Sequence, residues 1–556
     1  MEMILQRLKE YSETIELPPP AYQKVPIKWL VKLNKNGDYL GLIKTEHEYK
    51  KGKSKGIPHW APNPGKRASG INPGLISDSA DYVFGRYDEE EKRERATVKH
   101  QRYLSLLVNC ETNTHSPEVN AIKTFFLENR NKEKSDFNLI SASDWVRFEV
   151  DDVDPTDLND VRTFWTDNLE VGKTGVCLLC GRDRLLTRRQ PVALKQIPSG
   201  QTSGVQLISA NAKPFESYGL ENSYIAPLCR GCSEATHHTI NHLVASEQHS
   251  FRLGDKIVFI FWSLNDLPFS LKDLFTEATV DNVKAFLESP YKGDGCDDIK
   301  QDDHLCCLGL AGAGGRAIVK EWIDIRLPSA IENLRSFFSE QCLHDDRPYH
   351  SIYSLAAATV RDLKDLPTHV PIFLIRAALL GKSLPIIILT TTLRRCAIGH
   401  QSSDKRKHVT SAQAALIKLC LAKKEKFLKY NIKESMMKLD LNFHEPAYLY
   451  GRLFYLLERI QNAASGGGGV QRTFGEAMIS PNTALPRLIA RAKQSHLPRL
   501  QRNFPRLYAW FQHQMIEILN KLDSTTAFKS RLQPDEQGFF VLGYYHQRAQ
   551  KKNVDD

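Results

Sequence analysis

The chain has 556 residues, of which 41% are hydrophobic and 25% charged, and its formal net charge is +10. A chain of this length exceeds one ordinary hydrophobic core, so we expect about two to four domains. The composition excludes a disordered or fibrous protein. The positive charge favours an acidic partner, with nucleic acid as the first choice.

The first part of the chain shows mixed α and β patterns. An amphipathic helix opens it, since charged and apolar residues recur every three or four positions in MEMILQRLKEYSETIEL. A β-hairpin is predicted around Asn36-Gly37, a dipeptide typical of tight hairpin turns. Residues 58–85 are dense in Pro, Gly, Ser and Asp, which predicts an irregular surface loop. Strands are expected over 137–150 and 252–262.

Two Cys-x-x-Cys pairs lie in the middle of the chain: Cys177 with Cys180, and Cys229 with Cys232. Both thiolates of such a pair can face one metal ion, and two pairs complete a tetrahedral Zn²⁺ site. Four cysteine ligands leave no coordination position for an activating water. The spacing therefore predicts a structural zinc ion that staples the loop 177–232.

An HNH-like zinc-dependent nuclease is the alternative interpretation of the two pairs. Such an enzyme needs a histidine base and further ligands between them. No histidine occurs between Cys180 and Cys229, and His237, His238 and His242 come after the second pair. Neither a nucleophile elbow nor a phosphate loop occurs elsewhere. The nuclease is disfavoured, and we expect a protein that is not an enzyme.

Two parts of the chain are basic without compensating acids. Between Arg184 and Glu216 no acidic residue occurs, and the centre of this segment is rich in Gly, Ser, Gln, Thr and Asn. Such residues permit close approach to phosphates or base edges, although a polar loop that only caps a sheet would look similar. Between Ala477 and Gln514 there is again no acid, which favours contact with a nucleic-acid backbone. The basic residues of this second segment are Arg487, Arg491, Lys493, Arg499, Arg502 and Arg506.

From about residue 352 a 3.6-residue periodicity dominates, with Pro or Gly between the segments. The predicted fold class is α+β: a mixed N-terminal body with an inserted zinc-knuckle loop, followed by a predominantly helical C-terminal region that forms a small bundle. The predicted domains are an α+β body over 1–351, a helical connecting region over 352–435 and a C-terminal helical bundle over 436–556.

The cysteine count and the most apolar segment indicate the compartment. Eleven cysteines scattered over a long chain are typical of a reducing environment rather than of a secreted disulfide framework. The most apolar stretch is interrupted by Arg376, Lys382 and Pro385, so it lacks the roughly 20 uncharged residues of a membrane span. We expect a soluble cytoplasmic protein with no membrane partner.

Six phrases along nearly the whole chain form a specific set: LPPPAYQKVPIKWLVKLNKNGDYLG, SGINPGLISDSADYVFG, GQTSGVQLISANAKPFESYGLENSYIAP, GLAGAGGRAIVKEWID, PAYLYGRLFYLLERIQNAA and DEQGFFVLGYYHQR. Together they resemble the large subunit of type I-C CRISPR Cascade, the RNA-guided surveillance complex of bacterial antiviral defence. The resemblance implies a subunit without catalytic activity. It would recognise the protospacer-adjacent motif (PAM) in duplex DNA, aid strand opening in R-loop formation and hold the displaced strand.

The resemblance also implies partners, and the polar and basic segments provide the residues that would contact nucleic acid. The partners are CRISPR RNA, target double-stranded DNA and its displaced single strand, and the backbone, repeat-end-binding and small helical subunits of Cascade. A separate helicase–nuclease would be recruited on target binding. We assign duplex DNA contacts to Asn72, Gln201, Ser203 and Asn211, and backbone contacts to Arg188, Arg189, Lys195 and the six basic residues between 477 and 514.

The family often makes its small subunit from an internal start, for which Met437 is the candidate here. The alternative function is that of a general zinc-stapled RNA-binding protein, which would need no preference for a DNA motif.

Overall fold

The computed structural model of the protein describes residues 2–47, 55–65, 67, 70–128, 135–169, 172–253, 255–265, 267, 269–288, 303–343, 349–401, 409–424, 436–466, 469–522 and 528–550. Over these ranges the chain divides into two units. Unit 1 comprises Met1–Leu243 with Gly312–Ile318, and unit 2 comprises Val244–Ala311 with Val319–Asp556. In neither unit does a described helix have the length and apolarity that crossing a bilayer requires.

Unit 1 contains a six-stranded sheet, a two-stranded hairpin and six α-helices among its described residues. In chain order the elements are α1 (Glu2–Tyr11), β1 (Tyr22–Leu33), β2 (Tyr39–Lys44), β3 (Glu46–His47), β4 (Lys55–Pro62), β5 (Asp78–Ser79), α2 (Ala80–Val83), α3 (Arg93–Thr114), α4 (Pro117–Leu127), β6 (Trp145–Val150), α5 (Asn159–Asn168), β7 (Gly172–Val176), β8 (Asp183–Thr187) and α6 (Arg230–Ala245).

The central strand of the larger sheet is β1. It pairs antiparallel with β2 and β4, and parallel with β6. The predicted hairpin at Asn36-Gly37 is confirmed: β1 and β2 flank it, and Gly37 adopts a φ of +79°. Phe125, Phe148 and Trp165 are buried in the core of this unit. The strand predicted over 137–150 is confirmed for its second half, β6.

The prediction of an irregular loop over 58–85 was wrong at both ends, where β4, β5 and α2 form. Prolines had argued against a strand, yet Pro58 lies in β4 directly opposite Pro26 in β1. The ladder tolerates the two prolines because the outer neighbours stop short of them. On one side β3 pairs with β4 as far as Gly56, and on the other β6 begins opposite Ile27.

Unit 2 combines a four-stranded sheet with thirteen α-helices over its described residues. Its elements are β9 (Ser250–Arg252), β10 (Val258–Ser263), α7 (Leu271–Thr276), α8 (Val280–Glu288), β11 (His304–Ala313), β12 (Arg316–Arg326), α9 (Leu327–Gln341), α10 (Ile352–Ala357), α11 (His369–Leu380), α12 (Ile386–Gln401), α13 (Ser411–Ala422), α14 (Pro446–Ser465), α15 (Phe474–Ile479), α16 (Pro481–Arg491), α17 (Leu497–Asn503), α18 (Pro505–Lys521) and α19 (Pro534–Ala549). The tip of the β11–β12 hairpin, Gly312–Ile318, belongs to unit 1.

Helices α14 and α19 approach each other closely at glycines. A Cβ at Gly451 would lie 1.9 Å from Phe540 O, and one at Gly543 would lie 2.0 Å from Tyr448 O. Since only glycine permits this spacing, the sequence around these two residues specifies the helix pair. The predicted α+β fold with a helical C-terminal region is confirmed. One hydrophobic cluster runs from Phe251 to Tyr545, and the domain boundaries at 351 and 435 stay predictions.

Candidate metal centre and the cavity beside it

The four cysteines of the predicted metal site lie together in unit 1. Cys177 and Cys180 lie in the turn between β7 and β8, whereas Cys229 directly precedes α6 and Cys232 lies in its first turn. All four sulfur atoms lie within 4.8 Å of one another. A tetrahedral site with Zn–S bonds of about 2.3 Å needs sulfur atoms about 3.8 Å apart. Small side-chain adjustments therefore bring the four sulfurs to the geometry of a bound ion.

Backbone hydrogen bonds hold the two cysteine pairs against each other. Leu178 N donates to Pro227 O at 2.9 Å, and Cys229 N donates to Cys177 Sγ at 3.3 Å. Gly181 N donates to Cys177 O at 2.9 Å and closes the first turn. Its φ of +65° explains why glycine follows the first pair.

The pKa values of Cys180, Cys229 and Cys232 are shifted, and not all in the same direction. A hydrogen bond from the Cys232 thiol lowers the pKa of Cys229 to about 5, and the same bond raises the pKa of Cys232. Desolvation raises the pKa of Cys180. A divalent cation would have to displace the remaining protons, so metal binding should release protons and strengthen as pH rises.

The donor set fits Zn²⁺ in a structural role, because four sulfur ligands fill all tetrahedral positions. His237 on α6 does not join them: its ring is buried and its Nδ1 lies 2.8 Å from Ser233 O. In the described part of the chain, the four cysteines are the one group of three or more His, Cys, Asp or Glu side chains close enough to hold an ion.

The segment between the two cysteine pairs, residues 188–222, is here called the strap. It packs against the hairpin tip Gly312–Ile318 through isolated bridges of Gly200 with Gly314 and of Gln206 with Arg316. Gly312 N donates to Pro198 O at 2.7 Å. A Cβ at Gly312 would lie 2.3 Å from Gly200 N, so this crossing of two backbones requires glycine.

Three of the four residues assigned to duplex contact lie on the strap. Gln201 and Ser203 are exposed beside the hairpin tip, and Ser203 O accepts a bond of 2.9 Å from Lys195 Nζ. Asn211 is exposed, and its Oδ1 accepts a hydrogen bond from the guanidinium of Arg316.

Asn72 lies outside the strap, in the loop before β5. Its carbonyl oxygen accepts a bond of 2.9 Å from Arg67 Nε. Contact of these four residues with DNA stays a prediction.

A cavity of about 590 Å³ opens beside the strap within unit 1. Arg188, Arg189 and Asn211, three residues selected from the sequence, line it. Sequence reasoning missed other polar wall residues: Asn63, Gln190, Gln206, Asn222 and Arg230. Four of these five lie between Cys180 and Cys232, whereas Asn63 comes from a distant part of the sequence, so they share no pattern that would have identified them.

The outer end of the strap, residues 211–221, is exposed throughout. Ser217 and Leu220 close a tight turn whose central residues, Tyr218 and Gly219, both have positive φ. Tyr218 is 99% exposed. A ring fully in water is available for stacking on another ring.

The six basic residues predicted to contact a nucleic-acid backbone are all exposed in unit 2. They lie on α16, on the following π-helical turn Ala492–His496, on α17 and at the start of α18. Arg487 does have a compensating carboxylate, because its guanidinium forms an ion pair of 2.8 Å with Glu476. Phe504, which is 55% exposed, lies between Arg502 and Arg506 in the chain and adds an aromatic ring that the sequence had not singled out.

Comparison with known families identifies a match over nearly the whole chain. The model of a family described as CRISPR-associated protein (Cas_Csd1) matches residues 3–551. A search of curated proteins finds no match.

Proposed function

The chain belongs to the CRISPR-associated Csd1 family, and from that premise we propose that it is the large, non-catalytic subunit of a type I-C Cascade. The observation that carries this proposal is the extent of the match, residues 3–551, which leaves little of the chain outside the family. In this role the protein binds beside CRISPR RNA and other subunits, recognises the PAM, aids strand opening and holds the displaced strand. Guide pairing reads the target sequence, and the protein reads the flanking motif and the backbone.

The surface of the described residues is suited to single-stranded nucleic acid at α16–α18. The exposed residues Arg502 and Arg506 flank the half-exposed ring of Phe504 in the chain. Cationic side chains follow a phosphate backbone, and interleaved aromatic rings stack on unpaired bases. This combination supports the role of this surface in holding the displaced strand.

The strap supports duplex contact in unit 1. It combines exposed amide and hydroxyl groups, Gln201 and Ser203, with the fully exposed ring of Tyr218. We propose a bound Zn²⁺ at the four cysteines, which supplies a rigid link between the ends of the strap and takes no part in a reaction. The closed sulfur set argues against the nuclease alternative, since no open position remains for a water.

The experiment that tests the proposal isolates the tagged chain from its native cells and sequences the RNA that accompanies it. Enrichment of repeat–spacer RNA is the expected result. The purified complex should then shift a matched target duplex and lose affinity when the flanking bases, and not the target, are randomised. Ribosomal or unselected RNA would favour a general RNA-binding protein and contradict Cascade membership.

We also propose translation from Met437. The product would contain α14 to α19, including the pair α14 and α19 that packs through Gly451 and Gly543. Replacement of Met437 by Leu at the codon level should remove a small co-purifying fragment and leave the full chain. Persistence of a fragment whose N-terminus is residue 437 would contradict initiation and indicate proteolysis.

A further inference from the structure

The cavity beside the strap has the size and lining of a small-molecule site. Its volume of about 590 Å³ falls within the usual range for ligand pockets, about 300 to 1,000 Å³. Leu185, Pro191 and Ile208 contribute apolar walls, and the remaining walls are mainly amides, hydroxyls and guanidinium groups. Apolar faces with a few fixed polar groups are the usual composition of a binding pocket.

The charge of the lining selects for an anion. Three arginines, Arg188, Arg189 and Arg230, line the cavity, and no carboxylate does. Arg230 is held by Glu234 at 2.8 Å, and Arg188 reaches Glu221 at 3.4 Å. Arg189 has no hydrogen bond or ion pair with any side chain in the described ranges. Its guanidinium is therefore available for a ligand, and its planar fork matches a phosphate group.

Two glutamines in the wall have an amide atom with nothing to bind. Gln190 is 5% exposed and its Oε1 accepts from Ser233 Oγ, but its Nε2 has no partner among the described residues. Gln206 Oε1 is likewise buried without a described partner. Buried polar atoms are nearly always hydrogen-bonded, so such exceptions at a cavity point to a missing partner. Gln190 Nε2 is a hydrogen-bond donor, and Gln206 Oε1 is an acceptor.

A donor, an acceptor and a free guanidinium beside apolar walls match the chemistry of one nucleotide. Nucleobase edges present adjacent donors and acceptors that amide side chains recognise, base faces pack on apolar groups, and the phosphate pairs with arginine. We propose that this cavity binds a single nucleoside monophosphate unit, with Arg189 at the phosphate and Gln190 and Gln206 at the base edge.

The nucleotide bound in this cavity could come from either of two sources with the same chemistry. One is a nucleotide extruded from a bound strand, as proteins do when they take a base out of its stack; this source rests on the proposed function. The other is a free nucleotide, which does not.

The first arm of the test titrates the zinc-loaded full chain with the four deoxynucleoside monophosphates and with inorganic phosphate by calorimetry. Arg189→Ala should weaken binding roughly tenfold or more, as expected for loss of a charged hydrogen bond. Gln206→Leu should reduce discrimination among bases without lowering the melting temperature, because it removes an unpaired buried group. Arg184→Ala is the matched control: it removes the same charge from β8 at an exposed residue outside the cavity and should change neither property.

The second arm places 2-aminopurine at successive positions of a target duplex and measures its fluorescence with the assembled complex. A rise in fluorescence at one position, absent when the complex carries Gln206→Leu, would identify an extruded nucleotide. Base-selective binding of free nucleotides without such a rise would identify the free source. Absence of both would overturn the proposal, even if DNA is bound normally. Failure of the complex to bind DNA would instead count against the proposed function, and the calorimetry would still decide about the cavity.

Discussion

Loss of one cysteine ligand should free the strap from its anchor on α6. Cys180→Ser is the sharpest change, because Cys180 is the exposed member of the four cysteines. Its replacement removes a metal ligand with little loss of packing. Serine is a poor ligand for Zn²⁺ compared with a thiolate, so we expect the variant to be purified without metal.

The size of the effect follows from the loop that the metal closes. Cys177 and Cys232 bound a loop of about 55 residues, for which the loop-closure entropy of a cross-link is about 4 kcal/mol at 25 °C. Up to that amount should be lost from the free energy of local opening of the strap. In hydrogen exchange this corresponds to exchange that is up to about a thousandfold faster.

The assay is amide hydrogen exchange of peptides from 188–222, with zinc content measured on the same samples. Leu178→Ala is the control, since it lies in the same turn, is 37% exposed and keeps all four sulfurs. It should retain zinc and exchange slowly. If the strap of a metal-free Cys180→Ser protein exchanged its amide hydrogens as slowly as in the wild type, the metal would not be what holds the strap in place.

Three further predictions concern unit 2. The double variant Arg499→Ala with Arg502→Ala should weaken DNA binding equally for all sequences. It should also reduce the slope of log affinity against log salt concentration by about one to two, which filter binding at several salt concentrations would measure. An unchanged slope would contradict phosphate contact. Gly543→Ala should destabilise the α14–α19 pair by about 1 to 3 kcal/mol or more, the usual cost of overpacking a core, because its Cβ would lie 2.0 Å from Tyr448 O. A melting temperature equal to that of the wild type would count against this. Burial lowers the pKa of Lys418 to about 8. The unfolded chain therefore holds that proton more tightly, and the free energy of unfolding should rise between about pH 8 and 10.5 by about 3 kcal/mol relative to Lys418→Met. Parallel pH profiles of the two proteins in urea unfolding would disprove it.

The cluster of four cysteines was predictable because its signal is local. Each Cys-x-x-Cys pair places two thiols on one tight turn whatever the rest of the chain does, so only the meeting of Cys177 with Cys229 needed the fold. The Asn36-Gly37 hairpin was predictable for the same reason. By contrast, β4 was missed, because Pro58 reads as a strand breaker unless one knows that it faces Pro26 across the ladder.

The cavity was not predictable, because no segment contains enough of it to leave a pattern. Its wall combines Asn63, residues 185–191, residues 206–211 and Gly315, which come from parts of unit 1 far apart in sequence.

Arg487 illustrates a related limit of prediction from sequence. The run without acids begins one residue after Glu476, and the fold returns that carboxylate to 2.8 Å from the guanidinium.

The metal centre and the cavity should be coupled, since the same short segments build both. Cys180 lies a few residues before the wall that begins at Leu185, and Cys229 directly precedes Arg230, another wall residue. Between them Leu186 in β8 bridges to Cys229, so the end of β8, which leads directly into Arg188 and Arg189, is fixed to the second cysteine pair. Removal of zinc by a chelator should therefore abolish nucleotide binding at the cavity and leave salt-dependent binding by α16–α18 intact, and added Zn²⁺ should restore the former. If chelation reduced both to the same extent, general unfolding and not a local link would be the cause. If it reduced neither, the hydrogen bonds between the two cysteine pairs would be sufficient to hold the wall without the ion.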